Sequence, residues 1–353
     1  MGAAGARRVL AGLWVLDGLL QLLPRMFTMF MVQSVLRPPV LGEPTWLAHI
    51  TQAILIGTSQ HLVVFNLALA AVQVGLGIAL LVQGGDRTWP YWCSLVWCAG
   101  VWVFGEALGG ILTGQGSLVT GAPGSVVLYA VLTWAAWPES RPGGSRCRRR
   151  SVAAVLAGLW AFGAVLQAFP ALFTAAGLSE MLLGNANSYQ PQWVNALMRW
   201  GAAGLGAHPV AANASLIVIL TMIGAGIGAG DRLRRIALAG SIVLSTLAWV
   251  FGQAFGMLLM AMTTDPNSAP LFVVLALYVW PETWGSAPLP GGDGVRTGRT
   301  EPTRRGSRGL AEGARAGRLR HWLLGPRGAA TLRAARGSPA FEWSSRHGNR
   351  SRG

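Results

Sequence analysis

A chain of 353 residues that is 52% hydrophobic and 12% charged, against roughly 25% charged in an ordinary soluble domain, does not have the composition of a water-soluble enzyme or binding module. Its mean hydropathy of +0.45 indicates a membrane protein. The net charge of +15 points to no specific nucleic-acid partner: Thr283 to Gly353 carries 14 Arg against Asp293, Glu301, Glu312 and Glu342, and such a basic tail meets anionic lipid or nucleic acid through the same electrostatics.

Along the chain, long apolar runs come in two sets. The first set is about Val9 to Phe30, Leu62 to Val82, Trp92 to Leu112 and Ala122 to Trp137; the second is Val152 to Ala176, Pro209 to Ala229, Ile236 to Met262 and Ala269 to Trp280. Most approach the roughly 20 residues that span a bilayer, and the last of each set is short. Particular words recur between the sets. RVLAGLW at Arg8 and QLLPRMFT at Gln21 return as AGLW at Ala157 and QAFPALFT at Gln167, and WVFGEALGG at Trp102 returns as WVFGQAFGM at Trp249. The expected fold is therefore all-α, with eight transmembrane helices in two tandem parallel four-helix bundles. The expected organisation is a first repeat over 1–140, a basic linker over 141–150, a second repeat over 151–284 and a disordered Arg-rich tail over 285–353.

Charge arbitrates the number of crossings. With four per repeat, Arg7, Arg8, Arg87, Arg141, Arg146, Arg148, Arg149, Arg150, Arg232, Arg234 and Arg235 share one side, leaving Arg25, Arg37 and Arg199 opposite. The positive-inside rule then places both termini in the cytoplasm and the protein in the plasma (inner) membrane. Arg7 to Phe30 is too long for a signal peptide, is followed by no small-residue cleavage pattern, and has a counterpart in mid-chain. On the opposite side each repeat has a long first loop with a Trp-led amphipathic piece, at Trp46 and Trp193, expected to lie as an interfacial helix over the mouth of its bundle.

Few residues carry chemistry. Glu106 sits in a predicted membrane helix, where a charged side chain costs roughly 2.5–3.5 kcal/mol on insertion scales. It lies within a GxxxG spacing formed by Gly105 and Gly109, matched by Gly252 and Gly256, which is expected to pack helices closely. Gln253 replaces the acid in the second repeat, so a structural hydrogen bond and a proton-handling, metal-binding or substrate role both remain open. Asp17 and Gln21 share one helix face, against Gly163 and Gln167. His61 and Asn66 recur as His208 and Asn213, and His49 lies in the first outer loop. Asp17, Gln21, His49, His61, Asn66 and Glu106 are thus the candidate polar pocket. No metal site is expected, because HExxH, paired-His spacing and acidic clusters are missing from the sequence. Cys93, Cys98 and Cys147 have no metal-binding or redox spacing and read as packing residues. GAGIGAGD at Gly224 ends an apolar helix, not a strand, and reads as close packing instead of a nucleotide loop.

The segments LWVLDGLLQLLPRMF and WVFGEALGG…TGAPGSVVLYA resemble an uncharacterised family of polytopic membrane proteins of actinobacteria, over about Arg7 to Trp284. More distantly, the four-helix unit with its Gly-rich, Gln-bearing first helix looks like the DoxX/DoxD group, a resemblance that implies an accessory role in membrane redox chemistry with quinone as the implied cofactor. It transfers no catalytic residue, and an enzyme is the less favoured class. The alternatives are a small-molecule transporter and a non-catalytic scaffold, with the lipid bilayer, a membrane-protein partner or a second copy of the chain as partners.

Overall fold

The computed structural model describes residues 1–83, 87–138, 144–186 and 188–281; the expected tail and part of the expected linker lie outside these. Among the described residues all regular structure is helical: α1 (Ala3–Gln21), α2 (Met29–Met31), α3 (Thr45–Gln60), α4 (Leu62–Val82), α5 (Trp89–Phe104), α6 (Ser125–Ala136), α7 (Gly144–Gln167), α8 (Ala175–Leu183), α9 (Gln192–Gly206), α10 (Pro209–Gly228), α11 (Asp231–Phe251) and α12 (Ser268–Val279). Within the described residues α4, α7, α10 and α11 are long and apolar enough to cross a membrane, and α6 and α12 are shorter apolar helices. Large apolar side chains such as Val64, Val82, Val96 and Met222 are exposed on the helix surfaces, whereas Asn66, Gln167, Asn213 and Gln253 are fully buried. That inverted distribution is stable where the surroundings are hydrocarbon and polar groups must find partners inside the protein.

The two most extensive helix pairs are α1 with α4 and α7 with α10. Small residues explain their closeness. A Cβ on Gly18 would lie 2.5 Å from Val74 Cγ2, one on Gly77 would lie 2.7 Å from the Ala11 carbonyl oxygen, and one on Gly224 would lie 2.9 Å from that of Ala157. Thus Gly224 of the GAGIGAGD run packs against α7, and Gly226 packs against Ala237 of α11. Helices α6 and α12 pack on α5 and α11 respectively and also on each other. Their contact brings Tyr129, Leu132, Phe272 and Leu275 into one core with Trp14 and Trp160.

Arginines fasten one end of the molecule. Arg7 donates to the Leu80 carbonyl at 2.7 Å, near the end of α4. Arg148 donates to the carbonyl of Trp137, just after α6, and Arg234 to that of Ile227 in α10 at 2.9 Å. Cations therefore meet carbonyls left free at three helix C-termini, a favourable arrangement with the helix dipole. Arg146 to Arg150 lie in the first turns of α7, so the described part of the expected basic linker is helical.

Four apolar stretches are shorter than the sequence suggests. The first and fifth end at Gln21 and Gln167, with Pro24 and Pro170 opening 3-10 turns. The third and seventh end at Phe104 and Phe251, instead of running to Leu112 and Met262. Beyond each, the chain enters a left-handed turn: Ala107, Leu108, Gly109 and Gly110 have φ of 46°, 59°, 69° and 70°, and Ala254, Phe255, Gly256 and Met257 have 47°, 57°, 63° and 56°.

The glycine packing is directly testable. Gly18→Leu and Gly77→Leu should each destabilise the protein by about 1–3 kcal/mol through overpacking, lowering its thermal aggregation midpoint in detergent. Gly75→Leu should not, because a Cβ there has no neighbour within 4 Å.

Candidate functional site

The breaks after α5 and α11 place one polar side chain each at the start of a following helix. Glu106 Oε1 accepts from the Ser125 backbone N–H at 3.0 Å and the Ser125 hydroxyl at 2.7 Å. A longer contact from the Val126 N–H, at 3.4 Å, completes a cap on α6. Gln253 treats α12 in the same way: its Oε1 accepts from the Ala269 N–H at 3.0 Å and its Nε2 donates to Ser268 Oγ at 3.0 Å. An acceptor at a helix N-terminus satisfies otherwise orphaned N–H groups and meets the positive end of the helix dipole. Trp102 and Trp249 brace the two turns by donating to the carbonyls of Pro123 and Pro266, at 2.8 and 3.0 Å.

The expectation that Gly105, Gly109, Gly252 and Gly256 close helix–helix contacts is corrected by this geometry. Gly109 and Gly256 lie outside the helices at φ of 69° and 63°, where a Cβ would come within 2.1 Å of the Pro123 oxygen and 2.4 Å of the Pro266 oxygen. They allow a left-handed turn to press against the loop that precedes the next helix. Gly252 stands against the Val119 carbonyl, also in a loop, and Gly105 against its own helix at Val101. Gly124, at φ 106°, leaves room for the Glu106 carboxyl, since a Cβ there would lie 2.0 Å from Oε2.

The two chain halves differ in how the buried Gln and Asn at corresponding positions are paired. At the end of α7, Gln167 Nε2 donates to Asn213 Oδ1 at 2.6 Å, Asn213 Nδ2 donates to the Gln167 carbonyl at 2.9 Å, and Ser117 Oγ donates to Gln167 Oε1 at 2.8 Å. At the end of α1, Asn66 Nδ2 donates to the Gln21 carbonyl at 2.5 Å. Among the described residues, Gln21 Oε1 and Asn66 Oδ1 are buried there without a hydrogen bond, as are Gln73 Oε1 and Glu106 Oε2, while the Asp17 carboxyl and the Tyr129 hydroxyl interact with each other. Unpaired buried polar atoms each cost about 1–3 kcal/mol.

Five of those groups, Asp17, Gln21, Gln73, Glu106 and Tyr129, line one cavity of ≈ 680 Å3, within the roughly 300–1,000 Å3 of small-molecule sites. Its remaining wall is mostly apolar, with Trp14, Leu76 and Trp97 deep and Val72, Trp92 and Val96 toward the outer surface. Helices α4 and α5 touch sparingly beside it, whereas α10 and α11 pack along each other. A second cavity of ≈ 420 Å3, edged by Thr113, Ser117, Thr263 and Asn267, shares Glu106, Ser125, Thr264 and Asp265 with the first. Asp265 Oδ1 accepts from the Asn267 N–H at 2.7 Å and Oδ2 from Thr264 Oγ1 at 2.9 Å. Burial pushes its carboxyl above the usual carboxylate range, against the opposing pull of the hydrogen bonds from Asn267, Thr264 and Ser125.

Of the six expected pocket residues, Asp17, Gln21 and Glu106 line the cavity, and Asn66 stands behind Gln21. His49 and His61 do not belong to it; both are exposed. The expected amphipathic pieces are the longer helices α3 and α9, of which α3 contributes Ile54 to the cavity wall. Sequence reasoning missed Gln73, Tyr129 and Asp265. An amide inside the otherwise apolar α4 was a signal for Gln73, and the Asp17-against-Gly163 difference points to the same half, but nothing local connects Asp265 to residues some 160 positions earlier. Among the described residues no group of three or more His, Cys, Asp and Glu is arranged to hold a metal. The cysteines are free, with Cys98 buried and Cys93 and Cys147 exposed.

No family model, curated protein or solved structure matches this chain.

The cap can be separated from the charge. Glu106→Gln should fold with near wild-type stability, because Gln253 performs the same capping with an amide. Glu106→Ala should lose about 0.5–2 kcal/mol, measured as a lowered melting midpoint, and Gln253→Ala should fall by a similar amount.

Proposed function

We propose that this is a multi-pass cytoplasmic-membrane protein of eight crossings, built as two tandem four-helix units, in which the first unit binds an amphiphilic small molecule and passes it between the bilayer and the outer aqueous side. The single observation that carries the binding reading is the ≈ 680 Å3 cavity in which apolar walls end at Asp17, Gln21, Gln73, Glu106 and Tyr129. Such a cavity matches a molecule with a hydrocarbon body and a polar head. Sparse contact between α4 and α5 supports entry from lipid, and the shared edge at Glu106 and Asp265 supports exchange with the second, more polar cavity. The recurrent motifs support duplication: Glu106 and Gln253 cap corresponding helices, and Asn66 and Asn213 each donate to a carbonyl at a preceding helix end. In the second unit, the Gln167 and Asn213 side chains pair with each other, which favours a structural role for that copy.

Transfer of an amphiphile is favoured over a quinone-linked accessory role. A quinone head presents carbonyl oxygens and needs donors. Among the described residues, buried oxygens of Gln21, Gln73 and Glu106, all residues of this cavity's lining, have no hydrogen-bond partner. A quinone oxygen brings no donor to them, so these residues fit a quinone poorly.

Two experiments test this reading. In a cysteine-free background, a cysteine at position 147 should label with a membrane-impermeant maleimide only from the cytoplasmic side and His61→Cys only from the outer side; labelling of both from one side contradicts the eight-crossing topology. Gly100 lines the cavity, and a Cβ there meets nothing within 4 Å. Gly100→Phe should therefore fold normally and abolish saturable quenching of tryptophan fluorescence by a brominated decyl alcohol. Unchanged quenching would overturn the assignment of the cavity.

A further inference from the structure

We infer that the polar end of the cavity recognises a cation, so that the amphiphile is a lipophilic ammonium; this rests on the amphiphile-binding reading above. Three carboxyl-bearing residues, Asp17, Glu106 and Asp265, line the cavity, and among the described residues its lining contains no arginine or histidine. The acids alone would not make a site. The independent observation is that Gln21 and Gln73 are 2% and 7% exposed, line the same cavity, and each hold an oxygen with no hydrogen-bond partner among the described residues. Such a set accepts hydrogen bonds. An ammonium head supplies several N–H donors and a positive charge, satisfying the lone pairs and the carboxyl charge together.

The aromatic wall supports the same head. Trp14 and Tyr129 pack with ring centroids 4.5 Å apart and both line the cavity with Trp97. Indole and phenol faces attract cations, most strongly when the pair is desolvated. Trp14 is pinned rather than free to swing, because its Nε1 donates to Ser94 Oγ at 3.0 Å and Ser94 Oγ lies 2.9 Å from Thr133 Oγ1. The corresponding positions of the second repeat lack this chemistry: Gly163 and Gln253 stand where Asp17 and Glu106 do in the first, and Phe272 packs on Trp160 at 5.0 Å.

The test uses the purified full chain in detergent with three brominated decyl probes that differ only in head group: ammonium, hydroxyl and sulfonate. Quenching of tryptophan fluorescence is read for each. The ammonium probe should bind at least tenfold more tightly than the alcohol, and the sulfonate most weakly. Asp17→Asn should weaken the ammonium probe at least tenfold and leave the alcohol within about twofold. Glu106→Gln, whose cap is preserved, should weaken the ammonium probe in the same direction, so a folding failure of one variant does not remove the test. Equal affinity for ammonium and alcohol, or ammonium binding indifferent to both variants, overturns the cation inference while leaving the amphiphile reading in place. If none of the three probes quenches saturably, both fall.

Discussion

Glu106 and Gln253 each hold the first turn of a helix that begins against the broken end of another, and the arrangement of the molecule depends on that capping contact. A helix that starts among apolar surroundings exposes N–H groups that neither lipid nor apolar side chains can satisfy. The acceptor reaches α6 and α12 only because α5 and α11 stop early and the chain turns left-handed. Ala107 and Leu108, or Ala254 and Phe255, occupy a conformation that costs an L-residue roughly 1–2 kcal/mol. The cap and the Trp102 and Trp249 braces offset that strain. The short helices α6 and α12 are thereby fixed where they meet at the centre, and the loops that lead into them form the rim of the polar cavity.

From this frame the asymmetry of the two halves acquires a physical meaning. Both have a buried glutamine at the end of a first helix and an asparagine near the start of the next long one, yet only Gln167 and Asn213 pair their side chains, with Ser117 as a third member. In the other half Gln21, Asn66 and Gln73 retain oxygens without a partner among the described residues. Buried oxygens of this kind need water, an ion or a ligand to meet them. They lie beside the place where α4 and α5 touch sparingly, which is the physical ground for the binding site proposed above.

Much of this was legible in the sequence. Apolar composition marked the membrane helices, the recurrent AGLW, QxxP and WVFG words marked the corresponding elements, and the replacement of Asp17 and Glu106 by Gly163 and Gln253 pointed to the first half. The breaks after Phe104 and Phe251 were hidden because ALGG and AFGM continue an apolar run without proline. Their left-handed turns press against the loops at Pro123 and Pro266, contacts that no pattern within the apolar run announces. The Gly109–Gly110 pair was the available turn signal, but the GxxxG spacing read more simply as helix packing. Asp265 was illegible for a different reason: its place beside Glu106 is a product of how the two halves meet. His49 and His61 were drawn in by residue type, and their backbone positions leave them facing outward.

An experimental density map of the protein in lipid nanodiscs tells whether polar groups in the first half are held open for a ligand, as proposed. Elongated density should enter between α4 and α5 and end within hydrogen-bond distance of Asp17 and Gln73. A map in which α4 and α5 close on each other with no density between them, and the Gln21 side chain bonds to that of Asn66 as Gln167 does to Asn213, would contradict it.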